Sequence, residues 1–404
     1  MRKISKISLV AAVAVAGFST ANAQPLEEAI KNVDVSGSVV YRYDNFHNAE
    51  KTGSTGAVTS NRENTDVNRY KIGLNLSSKV NDYVKFNSRF IVGDRDNGGF
   101  TTLNAGKETN TNANGSPANT RGNDGQADVS LSNAYFGFTA IPNTVVNIGK
   151  QGLTTPYTVA VDINGNEQTG TGILALSTFG PVTGGLGYFN NTNLNESSEI
   201  NLTQDLGSGS GTTNLSLDAG RDMYVATVQG DLDFVKLEAW YAGLQNTFNS
   251  YTFAATGKID IAENAKLGLE ARYVNLTLNN KAQRNAGLTS DDNSMIRLAV
   301  DGKFSIVNAR LAYTKTGKNG GLTALDQDAK NTSLGWAITS NGVANADYIQ
   351  AALGADILDN LNFTLHYGQL KSKEDANATK IRILTDDIKA KEVYGQLTYK
   401  MSKN

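Results

Sequence analysis

Apolar and polar residues alternate with a period of two along most of this chain. Val33, Val35, Val39, Tyr41 and Tyr43 share one phase, and Asp34, Ser36, Ser38, Arg42 and Asp44 the other. Alternation of this kind puts the two sets on opposite faces of a β-strand. It recurs to the end of the chain. Leu267, Leu269, Ala271 and Tyr273 alternate with Gly268, Glu270 and Arg272. Val307, Ala309, Leu311 and Tyr313 alternate with Asn308 and Arg310. Leu361, Phe363, Leu365 and Tyr367 alternate with Asn362, Thr364 and His366. About sixteen such segments can be read, with two weaker candidates at 200–206 and 334–339.

The connections are of two kinds. Short ones at 81–82, 142–143, 262–265 and 359–360 interleave with long polar ones at 45–66, 95–127, 191–220, 277–293, 317–345 and 371–390. A compact water-soluble domain rarely carries this many long loops. Tight turns at one end and long loops at the other are the habit of outer-membrane barrels, as is tyrosine near strand ends. The pattern therefore predicts an all-β protein, a transmembrane antiparallel β-barrel of 16–18 strands, with the apolar phase toward lipid.

The N-terminus points the same way. Arg2, Lys3 and Lys6 precede an apolar run from Ile7 to Phe18 and then Ala21-Asn22-Ala23, the layout of a cleavable Sec signal peptide. The run is short of the roughly 20 apolar residues that a helical span needs. A signal over 1–23 and a barrel domain over 24–404 are expected. The 404 residues include no cysteine, which excludes a disulfide scaffold and a thiol nucleophile. Lys and Arg number 37 against 39 Asp and Glu, and the signal would remove three of the cations. Bulk charge gives no reason to expect nucleic acid as a partner.

One stretch breaks the rhythm. Between Gly149 and Gly172 the chain reads GKQGLTTPYTVAVDINGNEQTGTG, with Pro156, the Asn164-Gly165 turn and two carboxylates, Asp162 and Glu167. This stretch is expected to fold inward as a loop, 152–171, that narrows the pore. The polar phase adds Arg42, Lys71, Arg89, Arg272, Arg297 and Arg310 to the pore lining, beside Asp34, Glu238, Glu270 and Asp301. Charges on the lipid side would cost several kcal/mol each, roughly 2–4 at mid-depth. Opposed basic and acidic residues would set a transverse field across the pore. Asp162 and Asn164 to Glu167 also offer oxygen ligands about a glycine turn, although the run falls short of a 12-residue calcium loop.

Catalytic motifs are lacking. His47 and His366 are the two histidines, and no metal spacing or marked nucleophile involves either. A hydrolase built around His366 is the enzymatic alternative, and His366 reads better as a wall residue.

The segments PLEEAIKNVDVSG (Pro25 to Gly37) and YRYD (Tyr41 to Asp44), with IGKQ at 148–151 leading to VDINGNEQTGTG, resemble the Campylobacter-type major outer membrane porins. The resemblance implies eighteen strands, a homotrimer in a bilayer with lipopolysaccharide, and a constriction that can hold Ca2+. It implies an acidic calcium ligand shortly before the GTG element, which Asp162 matches, and a second carboxylate after the next hairpin, where Glu196 and Glu199 fall. Asp162 and Glu199 are the metal-ligand candidates, and no cofactor is required. The function so implied is passive diffusion of small hydrophilic solutes and ions, with a weak cation preference from Asp162. The alternatives are a surface adhesin anchored by its barrel and a substrate-specific channel.

Overall fold

The computed structural model describes residues 33–48, 51–52, 58–60, 63–93, 99–103, 127–163, 165–194, 220–285, 290–372 and 389–400. The expected signal peptide, Glu196, Glu199 and the weak strand at 200–206 lie outside them. The chain divides into two compact units, Met1–Ile141 and Pro142–Asn404.

The first unit is a four-stranded antiparallel meander. β1 (Val33–Asn48) pairs with β2 (Glu63–Asn81), β2 with β3 (Val84–Gly93), and β3 with β4 (Asp128–Phe138). The β2–β3 turn is held by its own side chains: Asn81 Oδ1 accepts from the Tyr83 N–H at 2.9 Å, and Lys79 Nζ donates to Asp82 Oδ1 at 2.6 Å.

The second unit continues as β5 (Thr144–Gly152), β6 (Thr169–Phe179), β7 (Val182–Thr192), β8 (Met223–Leu232), β9 (Val235–Leu244) and β10 (Phe248–Ala262). It ends with β11 (Ala265–Leu278), β12 (Asp292–Phe304), β13 (Val307–Thr316), β14 (Ala346–Leu358), β15 (Leu361–Ser372) and β16 (Lys389–Tyr399). Each strand pairs antiparallel with the next. Two-residue turns close the hairpins at one end. Asp233 and Ser305 take positive φ of 56° and 50° there, as tight hairpin turns require. Among the described residues one helical segment, α1 (Asn280–Asn285), lies in the β11–β12 connection.

The two faces of the second unit differ as the alternation predicts. Tyr251, Phe253, Tyr273, Leu298, Leu311, Leu353, Leu365 and Leu397 stand exposed on one face. Ser250, Thr252, Arg272, Arg297 and Thr314 on the other are buried. A water-soluble sheet would have the reverse, so the exposed apolar face is the face for hydrocarbon. Among the described residues no helix is long and apolar enough to cross a membrane.

The expectation of a closed barrel of 16–18 strands is corrected. Among the described residues sixteen long antiparallel strands are present, and no register joins β16 to β1 to close them into a barrel. Alternation specifies a strand and its two faces, but closure needs a register between the first and last strands, which no local pattern encodes. Among the described residues the count is sixteen and not eighteen. Residues 334–339 make one isolated bridge, Leu334 to Thr339, within a loop and not a strand.

Candidate functional site

Two loops of the second unit fold over the polar face. The first, 153–168, leaves β5 at Gly152 and returns at Thr169. Leu153 N–H donates to the Gln168 carbonyl at 2.9 Å, and Thr158 Oγ1 donates to the Leu153 carbonyl at 2.7 Å. Tyr157 is fully buried, and Thr252 Oγ1 of β10 donates to its hydroxyl at 2.9 Å. Leu153 and Tyr157 join one apolar cluster with Phe189, Met223, Phe248, Leu276 and Leu325. The loop is thus seated on the sheet by its own core.

Asp162 lies at the turn of this loop and is 5 % exposed. Its Oδ1 accepts from the Asn166 N–H at 2.7 Å and its Oδ2 from Asn166 Nδ2 at 2.6 Å. Its backbone closes the same turn, with Gly165 N–H donating to the Asp162 carbonyl at 2.9 Å. Gly165 takes φ of 89°, a conformation that favours glycine. Both carboxylate oxygens therefore shape the turn. Glu167 is half-buried, and its carbonyl accepts from Asn193 Nδ2 at 2.5 Å.

The second loop, 317–345, is the larger element, and alternation did not reveal it as a covering segment. Its Thr, Ser and Asn residues read as a solvated outer loop, yet Leu322 to Asp326 and Asn331 to Ser333 are buried. The polar side chains explain this, because they satisfy the loop's own backbone. Asn341 Oδ1 accepts from the N–H groups of Thr323 and Ala324 at 3.0 and 3.1 Å, and Asn341 Nδ2 returns a bond to the Ala324 carbonyl at 3.0 Å. Buried irregular backbone is tolerated only when so paired. The two loops also bind each other. Leu325 N–H donates to the Tyr157 carbonyl at 2.8 Å, Asn331 N–H to the Pro156 carbonyl at 2.9 Å, and Ile163 N–H to Asp328 Oδ2 at 2.9 Å. Gln168 bonds Asp326.

The far end of this loop is fastened to β16. Glu392 Oε1 accepts from the Trp336 N–H at 3.1 Å, and Oε2 accepts from Ala337 and Ile338 at 2.9 and 3.2 Å. A Cβ at Gly335 would fall 1.5 Å from Glu392 Oε1, so glycine is needed for the approach. Sequence reasoning passed over Glu392, although its phase in KAKEVYGQ put it on the polar face.

Beside the loops lies a charged cluster on β9, β11, β12 and β13. Glu270 accepts from Arg297 Nη2 at 2.6 Å and Arg272 Nε at 3.1 Å, and Arg310 Nη2 lies 3.8 Å away. Arg310 also grips Asp301 at 2.6 and 2.8 Å. Glu238 faces Lys236 at 3.1 Å, Arg272 at 3.7 Å and Lys330 of the second loop at 3.9 Å. Arg272 donates to Asn331 Oδ1 at 3.3 Å, and Arg297 donates to the Thr332 carbonyl. Five cations meet three carboxylates here. The side chains most open to solvent are Lys330, Asp301, Lys236 and Arg310, at 63, 47, 43 and 40 % exposure. Three of those four are cations. Arg297 Nε is buried and makes no hydrogen bond among the described residues.

The expected lining residues fall into two sets. Arg272, Arg297 and Arg310 come together in the second unit. Arg42, Lys71 and Arg89 belong to the first. There the Arg42 guanidinium lies 4.5 Å over the Phe100 ring, Lys71 is buried, and Arg89 Nη1 donates to Asn75 Oδ1 at 2.9 Å. Glu199 lies outside the described residues, within which no group of three potential metal-ligating side chains forms. His366 stacks flat on Tyr394, with ring centroids 4.5 Å apart and planes 5° from parallel.

Comparison with known proteins follows from this geometry. A family model for the Campylobacter major outer membrane protein matches residues 1–404. Among curated proteins no match is found. Solved structures from Pseudomonas aeruginosa share the fold. OccK2 (OpdF) is 13 % identical with a TM-score of 0.65, covering 93 % of this chain and 89 % of its own. OccK2 with glucuronate gives 12 % and 0.62 over the same shares. OpdK with vanillate gives 14 % and 0.60, covering 84 % of this chain and 82 % of its own. Two of these structures were solved with a small solute, vanillate or glucuronate, and a likeness at this identity carries the fold and no subunit number, so the expected homotrimer is withdrawn. Nothing in the sequence bore on it directly, since subunit contacts leave no periodic signature.

Proposed function

The chain belongs to the Campylobacter major outer membrane protein family, and from that premise we propose that it is a selective channel for small hydrophilic solutes carrying a carboxylate. As a member it is a transport protein of the Gram-negative outer membrane. In such a protein the polar face borders the solute's path. The observation that carries the reading is the charged cluster beside the two loops, whose solvent-facing side chains are three cations to one carboxylate. A carboxylate passing there meets fixed guanidinium and ammonium donors, and charge-assisted bonds of this kind are the stronger class.

The ligands seen in the related structures, vanillate and glucuronate, agree with this chemistry. Asp162, from which a cation preference is expected, accepts from Asn166 with both of its oxygens. Fixed dipoles and charges along a path select by field as well as by diameter. Flux into proteoliposomes tests the reading with two acyclic solutes of nearly equal size. Gluconate should enter faster than sorbitol through the native protein, and the excess should fall in Arg310→Ala/Lys330→Ala. Equal or slower entry of gluconate would overturn it.

A further inference from the structure

On the polar face of β14 to β16 the alternation supplies mainly small and hydrogen-bonding residues, but three aromatic rings gather at one place. His366 of β15 and Tyr394 of β16 form the parallel stack. Trp336, at the tip of the 317–345 loop, meets Tyr394 with centroids 5.9 Å apart and planes 48° from parallel. His366 Nε2 is buried and makes no hydrogen bond among the described residues, so stacking and not a polar contact fixes the imidazole.

The Trp336 side chain is not what holds the loop. That work falls to Glu392, which binds three successive backbone N–H groups, and to Gln350 Nε2, which donates to the Leu334 carbonyl at 2.9 Å. The indole touches Tyr394 at a tilt and remains 74 % exposed, although it is borne by a loop folded over the polar face and not by the apolar one. An exposed indole at the membrane–water boundary would be ordinary. On the side that solutes traverse it needs another account. Its backbone is clamped, its neighbour Tyr394 is braced by His366, and most of its surface is left open.

We propose that Trp336, backed by Tyr394 and His366, is a stacking platform that binds passing solutes by the flat face of a ring, sugar or aromatic. Both ring types offer the same chemistry, a broad apolar surface that a π-face covers without needing charge. The proposal rests on the reading of the chain as a solute channel, but not on its preference for carboxylates. Neutral probes therefore separate the two.

The chain contains two tryptophans, and Trp240 is partly buried against the apolar cluster. Trp240→Phe isolates the Trp336 fluorescence. Glucose or benzyl alcohol should change that emission saturably, and sorbitol, the open-chain counterpart of glucose, should not. A response to glucose alone or to benzyl alcohol alone supports the platform and tells which ring it serves. No saturable response to either ring, or an equal one to sorbitol, overturns it. Flux provides a second readout that does not depend on Trp240→Phe folding. Glucose entry relative to sorbitol should show saturation in the native protein. Trp336→Ala should weaken that saturation about two- to tenfold, the range of an aromatic contact, and Trp336→Phe should restore part of it. An unchanged glucose-to-sorbitol profile in Trp336→Ala contradicts the proposal even if gluconate selectivity holds. Loss of gluconate selectivity with the ring effect intact sinks the carboxylate reading alone.

Discussion

Arg297 and Glu270 sit one diagonal step apart on the β11–β12 ladder, with guanidinium Nη2 and carboxylate Oε1 2.6 Å apart. In register, Arg297 lies directly opposite Arg272. Two buried guanidinium groups face one another, and Glu270 is the anion that makes this tolerable. Its other oxygen reaches toward Arg310. Glu270→Gln should therefore destabilise the protein by about 3–5 kcal/mol, the cost of stranding buried charge. Urea unfolding in detergent measures this. A change of a few tenths would mean that solvent already screens the cluster.

The hydroxyl of Tyr157 is the deepest anchor of the 153–168 loop. Tyr157→Phe leaves Thr252 Oγ1 without its acceptor and should cost about 1–3 kcal/mol. The apolar seat remains in this variant. The loop should accordingly stay in place, with limited proteolysis at 153–168 little changed.

Asp162 acts on the same loop by a different route. Asp162→Ala removes both bonds to Asn166 and should make 160–167 markedly more susceptible to protease, while Asp162→Asn, which keeps one acceptor, should lie between. If Asp162 instead governs permeant charge directly, Asp162→Asn will shift the reversal potential without affecting proteolysis.

Glu392 fastens the tip of the second loop. In Glu392→Ala the N–H groups of Trp336, Ala337 and Ile338 lose their acceptor, and Gly335→Ala should dislodge the same contact by steric force. Both variants should show noisier single-channel currents than the native protein, with Glu392→Gln intermediate. Quiet currents in both would place the loop's support elsewhere.

Much of this was legible in the chain. The period-two pattern separated Tyr273 and Leu311 from Arg272 and Arg310, and those residues stand on the faces so assigned. The break at Pro156 marked a real loop. Less legible were features made by contacts distant in sequence. Residues 317–345 looked like solvated loop because Asn341, Thr323 and Ser340 are polar, and only in the folded chain do those side chains pair with buried backbone. Strand closure and subunit number were misjudged for a related reason, since both depend on surfaces that alternate in the same way whatever lies against them. Asp162 was noticed for its charge and the company of a glycine turn. In the folded chain both of its oxygens also hold that turn together.

The central claim concerns the sign of the field along the polar face, and a reversal potential in a tenfold KCl gradient reads that sign most directly. The basic cluster predicts that the native channel prefers chloride, and that Arg310→Ala/Lys330→Ala moves the potential toward cation preference. A native channel that prefers potassium, with a potential unmoved by those substitutions, would contradict the account.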